Sequence, residues 1–144
     1  MDYVESYKEL EVYKSARLLS KKIFEVSRNF PREEMYSLTD QVRRSSRSIG
    51  AQIAEAWGKR KYEKHFVSKL TDADAEQQET QHWIETALDC SYIMADESRE
   101  LLAMCASIGK MLHSMMNKSH LFCANEEDIT YERTAENRLP NTDY

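Results

Sequence analysis

Glycine and proline are scarce, with three and two copies in 144 residues. That scarcity argues against a fold built of many short strands and tight turns, and for long helices. No apolar run reaches the roughly 18 to 20 residues that a helix needs to cross a bilayer, so no membrane span is expected. The opening MDYVESYKEL is acidic and has no apolar centre, which is not the pattern of a secretory signal. Cysteine is represented by Cys90, Cys105 and Cys123 alone, an odd number without close ligand spacing. Buried, reduced thiols in a soluble cytoplasmic protein are therefore expected. Also missing are a glycine-rich phosphate loop and any Ser/His/Asp or Cys/His arrangement, so no catalytic activity and no cofactor is expected.

What the chain does have is charge, at 31% of residues, and apolar positions at helical intervals. The net charge is -5, divided unevenly. Residues 1–70 hold 15 Lys and Arg against 10 Asp and Glu, whereas residues 71–144 hold 5 against 15. The whole molecule is thus a poor attractor for nucleic acid, but a local basic surface on the first half is compatible with these numbers.

The stretch SLTDQVRRSSRSIGAQIAEAWGKR organises the rest. Leu38, Val42, Ser45, Ile49, Ile53 and Ala56 recur at steps of three or four, the stripe that a helix buries. Ser37 is the expected N-cap, with Asp40 favourably placed in the first turn. Arg43, Arg44 and Arg47 lie off the stripe as a basic patch. Ala51, Ala54 and Gly58 continue the Arg47 line as small residues over which a second backbone can come close. Before this stretch, Val12, Ala16, Leu19, Ile23 and Val26 form another stripe, with Leu10, Leu18 and Phe24 expected to widen it. Lys14, Arg17, Lys21, Lys22 and Glu25 make the outer face, and Pro31 ends the helix. After it come Phe66, Leu70, Ala73, Gln77, Thr80, Trp83, Ala87 and Cys90 or Ser91. A last stripe holds Leu101, Cys105, Ile108, Leu112 and Met115, interrupted by Gly109.

The spacing predicts helices at about 9–29, 37–59, 62–94 and 98–122 and no strand. The fold class is all-α, an up-down-up-down four-helix bundle over residues 1–123. Residues 124–144, polar and acidic without periodicity, are expected to be a disordered tail. Gln77 and Thr80, polar within an apolar stripe, must have their hydrogen bonds satisfied inside the bundle or face another subunit or water. With Ala51, Ala54 and Gly58 they form the expected oligomer interface.

His65, His82, His113 and His120 show no Glu-x-x-His pairing of the kind that builds di-iron sites in bundles, so no metal site is expected. Glu55, Glu76 and Glu79 lack a nucleophile or pocket and fit ion pairing better than acid–base catalysis. The candidate nucleic-acid-binding set is Arg43, Arg44, Arg47, Lys59, Arg60, Lys61 and Lys64, since Lys and Arg on phosphates supply affinity independent of sequence. The competing account of these cations is a solvated face, or one paired with the acidic third helix of another chain.

The ordered series Leu10, Val12 and Ala16, then Phe30-Pro31 with Glu34, leads into Leu38-x-x-Gln41-x-x-Arg44-x-x-x-Ser48-Ile49 and Ile53-Ala54-Glu55. Phe66, Lys69-Leu70, Glu76, Glu79-Thr80 and Trp83 continue it. Over roughly residues 9–122 the chain resembles the bacterial four-helix-bundle family encoded within intervening sequences of 23S ribosomal RNA genes. It departs from that pattern at Gln52, where the family usually has Asn, and at Ala56, where it has Gly. The resemblance implies a homopentamer. It also implies a relation to the accessory protein of diversity-generating retroelements, which engages nucleic acid through a basic surface. The expectation is an oligomer that binds structured RNA or a ribonucleoprotein, or else a protein-interaction scaffold that does not touch nucleic acid.

Overall fold

The computed structural model describes residues 4–123. Four helices account for most of them: α1 (Glu11–Ser27), α2 (Leu38–Gly58), α3 (Glu63–Asp89) and α4 (Ala95–Asn117). Short 3-10 turns precede α1, join α1 to α2 and follow α4. No strand occurs among the described residues. Each helix packs against the next, most extensively α2 against α3, and α1 meets α4 to close the bundle. The all-α four-helix architecture is the one the spacing implies. The expected tail, 124–144, lies outside the described residues.

Three of the four stripes enter the core as expected. Val12, Ala16, Leu19 and Ile23 of α1, Leu38, Val42, Ser45, Ile49, Ile53 and Ala56 of α2, and Leu101, Cys105, Ile108, Leu112 and Met115 of α4 are all buried, while Val26, the last expected position on α1, is only partly so. Burial of each large aliphatic or aromatic chain stabilises the fold by about 1.5–3 kcal/mol. Phe66, fully enclosed, stacks on Phe122 at 5.8 Å between centroids and so fastens the segment after α4 to the start of α3.

Elsewhere the structure departs from the sequence expectation. Of the three residues expected to widen the α1 stripe, only Leu10, just before the helix, joins the core, while Leu18 and Phe24 stand 50% and 38% exposed. On α3 the buried position is Ile84, not Trp83, which lies half-buried against the core with its indole N–H enclosed and unpartnered. That one-residue rotation follows from the polar members earlier in the helix, which hold the buried line along Thr80, Ile84 and Ala87. α3 also stops at Asp89 rather than continuing to 94. Ser91 takes a φ of 61°, and its N–H bonds to Leu88 O at 2.9 Å while Tyr92 N–H bonds to Ala87 O at 2.9 Å. This paired closure terminates a helix with a left-handed residue, a place that glycine usually fills. Cys90 is consequently exposed, against the expectation of three buried thiols; Cys105 is buried, and its thiol is pushed up to about 12 by desolvation.

Helix starts differ too. Ser37 does not cap α2: its hydroxyl turns back to Glu34, contacting the carbonyl and the carboxylate at 3.4 Å each. The incoming 3-10 turn directs the side chain away from the helix it precedes. α4 begins at Ala95, earlier than expected, because the Glu97 carboxylate accepts from Met94 N–H at 3.1 Å.

Candidate nucleic-acid interface

The polar positions of α3 are settled by what surrounds them. Thr80 is fully buried, donating to Glu76 O at 2.8 Å and lying 2.9 Å from the Ser45 hydroxyl of α2. Gln77, 5% exposed, donates to Asp74 Oδ1 at 2.9 Å and accepts from Gln81 Nε2 at 2.7 Å. Asp74 also accepts from Gln78 at 3.2 Å and meets His113 Nε2 of α4 at 3.1 Å. Placing Gln77 and Thr80 at an oligomer interface is therefore corrected: both are satisfied inside one chain and have almost no surface to offer a partner. Ala51 and Gly58 are exposed and Ala54 half-exposed, and a Cβ on Gly58 would meet nothing within 4 Å.

Two troughs flank the exposed side of α2. One, of about 530 Å³ between α1 and α2, has a floor of Ala16, Gly50, Ala51 and Ala54 and a rim that includes Arg17, Lys21 and Arg47. The other, of about 540 Å³ between α2 and α3, holds Gln41, Arg44, Arg47 and Ser48 opposite Glu76 and Glu79. The three arginines of α2 thus face different ways. Arg43 turns to α1, where its Nε donates to Ser27 Oγ at 2.8 Å and its guanidinium lies 4.8 Å from the Phe24 ring. Arg47 approaches the same ring at 5.8 Å, as does Arg28 of α1. One exposed aromatic therefore gathers three guanidinium groups, within the distance at which the ring face attracts a cation. Arg44 instead looks towards α3.

Electrostatics on that α3 side are mixed. Burial pushes the Glu76 carboxyl upward, and Glu79 adds to it, against the opposing pull of Ser48 and Arg44. Lower on the same seam Lys69 pairs with Glu55 at 2.9 Å and Asp72 at 3.7 Å; Glu55 is held below its usual range by the Lys69 hydrogen bond and charge. Glu55 is thus an interhelical ion pair, whereas Glu76 and Glu79 crowd each other beside Arg44.

The second cationic group is separate. Lys59, Lys61 and Lys64 are exposed around the α2–α3 connection. Arg60 lies over Trp57, its guanidinium 3.6 Å from the ring centroid and its Nε donating to Trp57 O at 2.8 Å. Twelve residues separate Arg47 from Lys59, about 18 Å along a helix. The seven expected cations do not form one patch but two, near opposite ends of α2.

The family model of the 23S rRNA-intervening sequence protein matches residues 8–114, most of all four helices. The chain belongs to this family. A solved structure of a protein of unknown function from the S23 ribosomal protein family of Bacteroides thetaiotaomicron is similar. It shares 26% identity and a TM-score of 0.68, over 74% of this chain and 95% of that one. No functionally curated protein matches.

Within the family-matched span, the basic surface includes residues that the sequence reading left out of the site. Arg17, Lys21, Phe24 and Arg28 are spaced by four, three and four along α1 and its C-cap; Arg17 and Lys21 share the trough with Arg47, and Phe24 brings Arg28 to Arg43 and Arg47. The spacing carries this line, but residue type alone counts Phe24 towards the core and Arg17 and Lys21 towards solvent. Among the described residues no group of three or more His, Cys, Asp or Glu is placed to hold a metal ion, and no helix is long and apolar enough to cross a membrane.

Proposed function

We propose that this chain is a non-enzymatic, oligomeric bundle of the cytoplasm that binds structured RNA or a ribonucleoprotein through the basic side of α1 and α2. The observation that carries the reading is the grouping of Arg28, Arg43 and Arg47 around the exposed Phe24 ring, with no carboxylate within ion-pair distance of the three among the described residues. Unpaired arginines held beside an aromatic are ready to take phosphates without first breaking an internal salt bridge. A net charge of -5 opposes this from a distance, but screening confines that opposition to about 8 Å at physiological salt. In a pentamer, the assembly that the family resemblance implies, five copies of the face would add their potentials.

The α1–α2 trough favours a second reading, a protein-interaction scaffold of the retroelement-accessory kind, because its small-residue floor fits a helix from another chain. One experiment separates them. Binding of a structured RNA should weaken with salt, log K falling by roughly 0.7–0.9 per phosphate neutralised for each unit of log salt. An Arg43→Ala/Arg44→Ala/Arg47→Ala variant should lose affinity and keep its mass by light scattering. Equal binding by the variant, or no binding by the parent at low salt, leaves the scaffold. Dissociation of the variant into smaller species would place the arginines at a subunit interface instead.

A further inference from the structure

A smaller pocket, apart from both troughs, lies where α1 hands over to α2. We propose that it binds a nucleoside phosphate monoester, the phosphate held by Arg28, Arg32, Arg43 and Thr39. The pocket measures about 220 Å³, and no acidic residue lines it. Three arginines reach it from three segments: Arg28 follows α1, Arg32 lies in the 3-10 turn and Arg43 is in α2. Glu33 and Glu34 belong to the same turn, yet neither lines the pocket, and Glu34 is engaged by Ser37.

Two features mark the pocket as built. Arg43 is fixed from both sides, by Ser27 Oγ on its Nε and by the Phe24 ring, which leaves its terminal nitrogens free to donate. Ser27 is itself used up, since its hydroxyl donates to Phe24 O at 3.1 Å. Thr39 is only 6% exposed and lines this pocket, and its hydroxyl, which has no partner among the described residues and is not enclosed, stays open to a ligand or water. Thr39 stands in the first turn of α2, a 21-residue helix that no side chain caps. Unsatisfied amides there add to the attraction for an anion.

The remaining wall decides the class of ligand. Phe30, Pro31 and Met35 are apolar, and the pocket, at about 220 Å³, is larger than a single ion fills. A bare ion would leave that wall unused; a phosphate carrying a nucleoside covers both halves. Three cations without a lining acid suit the dianionic monoester better than an internal phosphodiester. The same chemistry is presented by a free mononucleotide and by the 5′-phosphate end of an RNA.

The test uses the full chain at low salt, titrated calorimetrically with uridine 5′-monophosphate and with uridine. Two short RNAs of one sequence, with a 5′-phosphate or a 5′-hydroxyl, complete the set. The monophosphate should bind and uridine should not. Arg28→Ala/Arg32→Ala, at two exposed positions, should weaken monophosphate binding by about a hundredfold, tenfold per charge-assisted contact. Thr39→Val should weaken it with the helical circular dichroism unchanged. Arg44→Ala/Arg47→Ala, outside the pocket, should leave monophosphate binding intact even where structured-RNA binding is lost, which distinguishes the two sites although Arg28 and Arg43 serve both. A 5′-phosphate preference between the RNAs that disappears in Arg28→Ala/Arg32→Ala assigns the RNA end; equal RNA binding with a bound mononucleotide assigns the free nucleotide. If neither the mononucleotide nor the 5′-phosphorylated RNA shows binding sensitive to Arg28 and Arg32, the proposal is wrong.

Discussion

Replacing Gly109 by alanine sets two known magnitudes against each other. In the interior of α4, alanine is favoured over glycine by up to about 1 kcal/mol. A Cβ built on Gly109, however, would lie 2.9 Å from Gln77 Nε2 and 3.5 Å from Asp74 Oδ1. Such an approach is cheap when the neighbour is the free end of a flexible chain. Gln77 is not free, because it is buried and bonded to both Asp74 and Gln81. Moving its amide gives up the bond to the Asp74 carboxylate, and hydrogen bonds to charged groups contribute about 1.5–3 kcal/mol. The loss outweighs the gain, so Gly109→Ala should destabilise by about 1–2 kcal/mol, lowering the melting temperature by a few degrees. Denaturant or thermal unfolding followed by circular dichroism measures this. A double-mutant cycle isolates the cause: with Gln77→Ala already in place the obstruction is gone, and Gly109→Ala should become neutral or stabilising. A rise in melting temperature for Gly109→Ala in the parent chain would refute the reasoning, since propensity alone would then govern the site.

Two further outcomes follow from the seams of α2. Because burial and Glu79 raise the folded-state pKa of Glu76, its protonated form favours folding; that stability is present below the ordinary carboxylate range and is lost as pH rises through the raised value. Glu76→Gln should therefore raise the melting temperature at neutral pH and make little difference in acid, and an equal effect at both would contradict it. Ala54→Phe fills the floor of the α1–α2 trough at a half-exposed position. On the proposed oligomeric reading, helicity should survive while the mass measured by light scattering falls below that of the parent, and a mass equal to the parent's would remove this trough from the proposed interface.

The bundle was legible wherever apolar residues dominated the stripe, as in α1, α2 and α4. It was less so in α3, where Asp74, Gln77 and Thr80 are buried because they bond to one another, to Ser45 and to His113. Hydrogen-bond partners brought from other helices have no signature in the local spacing, so polar core positions resembled an interface. The end of α3 was hidden for a similar reason: a serine adopts the left-handed closure, where glycine would have announced it. For the candidate site, residue types were enough to single out Arg43, Arg44 and Arg47 but not to say which way they turn. Direction depends on what α1 and α3 set opposite each one.

That direction changes which cations matter. On the α2–α3 side positive charge is answered within the chain, by Glu55 and Asp72 at Lys69 and by the crowded Glu76 and Glu79 near Arg44. On the α1–α2 side, Arg28, Arg43 and Arg47 share only the ring of Phe24, and Arg17 bonds to the neutral Tyr13 hydroxyl at 3.3 Å. Three guanidinium groups around one ring repel one another, and a ring face returns only about 0.5–1 kcal/mol per exposed contact. The opposite seam sets an acid beside its cation, whereas none is paired with these three. Its absence is what an anionic partner would explain, and it shifts the weight of the proposed interface from Arg44 towards Arg28, Arg43 and Arg47.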